Sequence, residues 1–295
     1  VQETIGNSES YSLGWRPGGF VTKARVSRSI GLIGILLATV TCPALAGVAY
    51  DYTVAHSGPK DWQITSAVEV DGARQRVNFG EVTGYMASTA QSEYRTGAFA
   101  LCSDGGANAT YFYPNEKQML EKHIVPGVMY QMKQQVEGDV IKGFTTTIED
   151  PKVTVRDLGD GGIIDGMPTH KMEIHASFVN GVVVGAYKTS GKQEYVSEVW
   201  TTDRIDPSAA AFVTQQFFRN LMPIEITKLI DQHDPFSKRF VLHRVTTIRV
   251  PIKGEVVTSV TEETVKNYRA KAIAEDDFVA PTGYEPVKHA PVPNH

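Results

Sequence analysis

The chain has 295 residues, a mass of 32.3 kDa, 41% hydrophobic and 21% charged residues, and a formal net charge of −4. That balance belongs to a globular protein with a sizeable core; it excludes fibres, disordered chains and basic nucleic-acid binders. The two cysteines, Cys42 and Cys102, are too few for a disulfide scaffold and wrongly spaced for a zinc site.

Near the amino end, Lys23, Arg25 and Arg28 precede an apolar run, Ile30 to Val40, and then the triplet Ala44-Leu45-Ala46. These are the three parts of a secretory signal peptide, with cleavage between Ala46 and Gly47. The alternative is an inner-membrane anchor. Ile30 to Tyr50 carries no charge, and a spanning helix needs about 20 apolar residues. Residues 1–20 have no signal-like pattern, and the chain begins with Val, so they read as an over-extended start or a disordered stretch. The expected organisation is therefore a signal over 1–46, one domain over 47–286 and a disordered, proline-containing tail over 287–295. The expected location is periplasmic or secreted.

Beyond residue 46, alternation dominates. Val48, Tyr50, Tyr52 and Val54 share one face of a predicted strand, and Trp62, Ile64, Val68 and Val70 repeat the pattern. Asp71-Gly72 predicts a hairpin turn, with Val77 and Phe79 on the returning strand. A second hairpin is expected around Asp104-Gly105-Gly106. Val153 and Val155 mark a short strand, and Met172 to Phe178 alternates. Asn180-Gly181 and Gly191-Lys192 read as the next two turns, and Lys253-Gly254 as the turn of a last long pair. About ten or eleven antiparallel strands result, a mainly β domain. Helical signal is confined to 126–137 and to the stretch after Asp206-Pro207, an N-cap followed by proline. Pro223 interrupts that second pattern, which resumes from Ile224 to Gln232.

No Gly-x-Ser-x-Gly elbow, phosphate loop or His-Glu-x-x-His helix occurs. His170, Glu173 and His175 are the nearest approach to a metal cluster, but strand geometry places His170 on the face opposite the other two. A hydrolase would need one of these histidines to meet Glu198 or another acid in a cleft. Cys102 reads as a buried thiol. Glu198 lies between Val196 and Trp200 on one strand face, where an acid must pair, reach water or line a cavity. Trp200, read as core-facing like Phe178, should cost roughly 3–5 kcal/mol on truncation to alanine. Tyr111 and Tyr113, with Met129 and Met132, are either core or the lining of a pocket under a lid.

The order of short motifs carries a resemblance. Tyr111-Phe112-Tyr113-Pro114 precedes Glu116 to Met119; Gly166 to Met172 follows, then Glu198-Val199-Trp200, a helix, and Phe278 to Tyr284. This resembles a bacterial envelope family of unknown function related to the LolA/LolB-like lipoprotein carriers. The resemblance implies a strongly curved antiparallel sheet, a half-open barrel with helices on its concave side and an apolar interior. It brings no set of binding residues, and no lipid-attachment motif surrounds Cys42. The resulting expectation is a non-enzymatic exported envelope protein, without metal or cofactor, that takes a lipid or other apolar ligand. Tyr111, Tyr113, Met129, Met132, Glu198 and Trp200 are its candidate lining. The alternative is a structural or interaction module with an envelope protein as partner. No nucleic-acid partner is expected.

Overall fold

Alternating burial organises the chain into strands. The structure, a computed structural model, describes residues 47–89, 92–124, 144–184, 186–214, 222–233, 239–252 and 254–291. The signal-like segment, the predicted helix at 126–137, Met129 and Met132 lie outside these residues. In β1 (Gly47–Ser57), Tyr50, Tyr52 and Val54 are buried while Asp51 and Thr53 turn away. It is followed by β2 (Trp62–Asp71) and β3 (Arg74–Thr83), joined at Gly72, whose φ of 61° is the left-handed conformation such a turn requires. A short helix α1 (Gly84–Ser88) precedes β4 (Phe99–Cys102), β5 (Asn108–Tyr113) and β6 (Gln118–His123). Next come β7 (Phe144–Ile164), β8 (Met167–Val184) and β9 (Tyr187–Thr202). A 3-10 turn (Pro207–Ala209) and helix α2 (Ile224–His233) lead to β10 (Phe240–Ile252) and β11 (Glu255–Lys271). A second 3-10 turn (Glu275–Phe278) and a two-residue strand β12 (Glu285–Pro286) complete the described elements.

These twelve strands form one sheet in the order β12-β6-β5-β4-β3-β2-β1-β11-β10-β9-β8-β7. It consists of two meanders, β1 to β6 and β7 to β11, joined where β1 pairs with β11. Every neighbouring pair is antiparallel except β12 on β6, and the two outer strands, β12 and β7, do not pair with each other, so the sheet is not closed. Both margins carry devices that stop further pairing. Along β7 the register shifts three times against β8, and on β12 Pro286 has no N–H to offer a further strand.

Two expected turns are absent. Asn180 and Gly181 lie inside β8, opposite Gly191 and Ser190 of β9, and the chain reverses only after the pair Val184 and Tyr187. Gly181 is needed for space: a Cβ there would collide with the Thr147 hydroxyl of β7. Likewise Gly191 faces the Pro251 ring, 2.5 Å from where its Cβ would stand. The short strand expected near Val153 is the middle of the 21-residue β7, which returns through Asp165-Gly166 with both residues at positive φ. The disorder expected from residue 287 is corrected for residues 287–291. Val287 packs against the core, Ala290 is buried, and the Pro291 carbonyl accepts from Arg95.

One face of the sheet is covered, by two apolar clusters. The first spans β1 to β6, β10 and β11, and takes in Ile205, Ala209, Ala211, Phe212 and Val213 from the segment after β9. The second joins Met172, Ile174, Ala176 and Phe178 of β8 and Tyr195 and Val199 of β9 to Met222, Ile226 and Ile230 at α2. Buried rings dominate the first cluster. Tyr111 stacks on Phe79 at 6.1 Å and meets Phe212 edge-on at 6.4 Å.

Burial raises the hydroxyls of Tyr50, Tyr52, Tyr94 and Tyr111 well above the ordinary phenol range, and pushes Tyr195 up to about 12. In the unfolded chain these groups titrate near ~10. The native state therefore holds their protons more tightly, and the stability they contribute is complete below about pH 10 and declines above it. In an alkaline titration, phenolate absorbance from these tyrosines should rise only together with loss of the β circular-dichroism signal. Ionisation of all twelve tyrosines in a chain that stays folded would contradict the burial.

Candidate functional site

Between the covered face and α2 lies a cleft of about 230 Å³. Its apolar wall is Met172, Ile174, Val199, Ile230, Phe240 and Leu242. Strand periodicity places the first three, because Met172 pairs with Val199 across β8 and β9 and Ile174 lies two residues along the same face. Ile230 descends from α2, one turn after Ile226. Pro207, Ala210 and Thr214 form the wall toward the first cluster, and Asp231 and Arg239 also border the cleft.

The floor is polar. Arg244 of β10 stands directly opposite Glu263 of β11, and its Nη1 donates to Glu263 Oε1 at 3.3 Å. The Tyr52 hydroxyl donates to the other carboxylate oxygen, Oε2, at 2.9 Å. All three are at least nine-tenths buried. Burial, and the Glu263 carboxylate beside it, hold the Tyr52 phenol protonated, so it acts as a donor. The polar run continues along the face. Ser197 Oγ and Thr246 Oγ1 share a hydrogen bond at 2.9 Å, and Thr261, opposite Thr246, meets His56 Nδ1 at 2.9 Å. This seam separates the two apolar clusters.

The sequence-derived candidates fall elsewhere. Tyr111 and Tyr113 are buried in the first cluster, where the Tyr113 hydroxyl donates to the Glu93 carbonyl at 3.2 Å. Glu198 and Trp200 project from the other face of the sheet, since burial along β9 alternates through Tyr195, Ser197, Val199 and Thr201, with the terminal Thr202 alone buried out of that phase among the described side chains. The strand phase inferred for β9 is thus corrected, and the truncation cost expected of a core tryptophan does not apply to Trp200. Lys171 bonds Glu198 at 2.8 Å and sits over the Trp200 ring at 4.4 Å, while His243 packs against that ring from β10 at 4.8 Å. Glu198 is therefore paired near solvent.

The histidines have separate partners too. His170 meets Asp157 at 2.6 Å, and His175 meets Glu173 at 3.1 Å, which also receives Arg156 at 3.1 Å. Among the described residues no three His, Cys, Asp or Glu side chains converge as a metal site. Cys102 is buried, its thiol donating to Asp104 Oδ1 at 3.1 Å and accepting from the Gly106 amide at 3.0 Å; burial raises its pKa. The floor residues Tyr52, Arg244 and Glu263 were not singled out from sequence. The available signal was an arginine and a glutamate at inward phase on two strands predicted to pair across Lys253-Gly254.

No family model matches the chain, and no curated protein matches it. Among solved structures it is similar to an uncharacterized conserved protein from Thermus thermophilus, at 10% identity over 81% of this chain and 90% of that one, with a TM-score of 0.34. It is also similar to a LolA superfamily protein from Nitrosomonas europaea, at 8% identity over 80% of this chain and 91% of that one, with a TM-score of 0.28. Scores of this size leave the class of protein to the strand order itself, a mainly β, open, twelve-stranded sheet.

Breaking the floor pair should be costly and replacing it should not. Arg244→Met alone strands a buried carboxylate, an expected loss of about 3–5 kcal/mol, whereas Arg244→Met with Glu263→Leu removes both charges and should lose much less. Urea unfolding of the two variants measures the difference. Equal losses would show that the pair is not desolvated.

Proposed function

We propose that this chain is a non-enzymatic exported envelope protein that holds a lipid-like or other apolar ligand in the cleft between its sheet and α2. The observation that carries the reading is the division of the cleft: an aliphatic wall from Met172 to Ile230 faces a buried floor of Tyr52, Arg244 and Glu263. Such a wall takes hydrocarbon, and fixed polar groups at one end give a ligand its orientation. At about 230 Å³ the cleft lies below the roughly 300–1,000 Å³ of small-molecule sites, so it suits a short chain segment, and a longer ligand requires α2 to move outward. The motif order from Tyr111 to Tyr284, which resembles the LolA/LolB-like carriers, points to the same use of a curved sheet. Export rests on Lys23, Arg25, Arg28, the apolar run after them and Ala44-Leu45-Ala46. No helix among the described residues is long and apolar enough to cross a membrane.

The second reading, a structural or protein-interaction module, has its own observation. The interior between β1 and β6 is filled by side chains, with Tyr50, Tyr52, Phe79, Tyr94, Tyr111 and Tyr113 all buried. A fluorescent fatty-acid analogue separates the two readings. The native chain should bind it, and Val199→Trp, which fills the cleft, should weaken binding at least about tenfold, a change of about 1.4 kcal/mol. Absence of probe binding, together with no lipid in organic extracts of protein from its native host, would favour the module.

A further inference from the structure

The hydroxyl protons along the cleft are already committed. Thr201, Thr214 and Thr227 all border it. Thr201 Oγ1 donates to the His170 carbonyl at 3.4 Å, Thr214 Oγ1 to the Ala211 carbonyl at 2.8 Å, and Thr227 Oγ1 to the Pro223 carbonyl at 3.3 Å. On the floor, the Tyr52 hydroxyl donates to Glu263 Oε2. A hydroxyl has one proton and two lone pairs, so a threonine whose proton is spent on the main chain offers a ligand only an acceptor. Thr201 and Thr227 are more than nine-tenths buried, where turning the hydroxyl round would give up its bond with no water to replace it.

The charged groups add acceptors and no excess of positive charge. Glu263 takes one bond on each carboxylate oxygen, from Arg244 and from Tyr52, and a carboxylate has about four acceptor sites. Two arginines and two acids border the cleft: Arg239, Arg244, Asp231 and Glu263. The described lining therefore carries no net formal charge. An anionic head entering it would leave water for a site without a spare cation, and would set its own acceptors against the threonine oxygens and Glu263. Burying a charge on those terms costs more than burying an uncharged polar group.

We infer that the ligand of this cleft is a single-chain amphiphile whose head is uncharged and donates hydrogen bonds, an alcohol or a primary amide, and that a free carboxylate head is disfavoured; the inference rests on the apolar-ligand reading of the same cleft. A space of about 230 Å³ takes one short chain, which lies against Met172, Ile174 and Val199. The head then donates to the oxygens of Thr201, Thr227 or Glu263, the acceptors that the fold leaves over. The aliphatic wall supplies most of the affinity for any such chain, a fatty acid included, and the head sets the preference among them.

Calorimetric titration of the full chain with octanol, octyl methyl ether and octanoate at neutral pH tests this. The three share a chain and differ in the head: an uncharged donor, an uncharged acceptor and an anion. Octanol should bind at least about tenfold more tightly than either of the others. Thr201→Val with Thr227→Val keeps the side-chain shape and removes two acceptors. It should cut the preference for octanol over the ether by at least about threefold and leave the ether's affinity unchanged. Octanol binding no more tightly than the ether or octanoate would overturn the donor head while leaving the apolar cleft in place, and so would a preference that the double variant keeps in full. Failure of all three to bind near their solubility limits would remove the cleft reading and this inference with it.

Discussion

The hydroxyl of Tyr50 ties the segment after β9 to the sheet. It donates to the Ala209 carbonyl at 3.1 Å and accepts from the Ala211 amide at 2.9 Å, while Gln75 Oε1 accepts from the Phe212 amide at 2.7 Å. The segment from Ile205 to Val213 runs under the sheet with no strand beside it; its turn bonds serve Ala209 and Ala210, and the Ala211 and Phe212 amides are left for side chains to meet. Each such group left unmade costs about 1–3 kcal/mol, more than most single apolar contacts return. Two side chains reaching down from β1 and β3 meet that demand. With the backbone satisfied, Ile205, Ala209, Ala211, Phe212 and Val213 can be buried, and Pro207, Ala210 and Thr214 stand where they bound the cleft.

The cleft therefore follows from how the sheet is covered. The clamped segment closes the cluster between β1 and β6, and α2 closes the one over β8 and β9. Neither covers the middle, where the polar side chains of Tyr52, Arg244, Glu263, Ser197, Thr246 and Thr261 are held by hydrogen bonds. A polar seam is tolerated in a core when its members find partners, and is costly when they do not.

Much of this was legible in the sequence. Strict alternation located β1, β2, β3 and β8, and Asp71-Gly72, Asp206-Pro207 and Pro223 each marked a real boundary. Other signals misled for identifiable reasons. Asn180-Gly181 looks like a turn, but the glycine is there to admit Thr147 from the next strand, a contact between residues far apart in sequence. In β9 hydropathy pointed to the wrong face, because the inward positions include Ser197 of the seam and Thr201 of the cleft lining, while Trp200 covers the opposite face beside Lys171 and His243. The Arg244–Glu263 floor was equally hidden, since the two meet only once the register of β10 on β11 is known. Local chemistry reports turns and caps; which polar residues face inward is decided by pairing across the sheet.

Native-state hydrogen exchange at Ala211 and Phe212 tests the central claim most directly. If the Tyr50 and Gln75 bonds clamp this segment to the sheet, both amides should exchange only through openings as costly as those that release β1 and β3, and Tyr50→Phe should speed Ala211 selectively. Exchange at Ala211 and Phe212 as fast as in an exposed loop, with β1 and β3 still protected, would contradict it, and the wall of the cleft would lose its support.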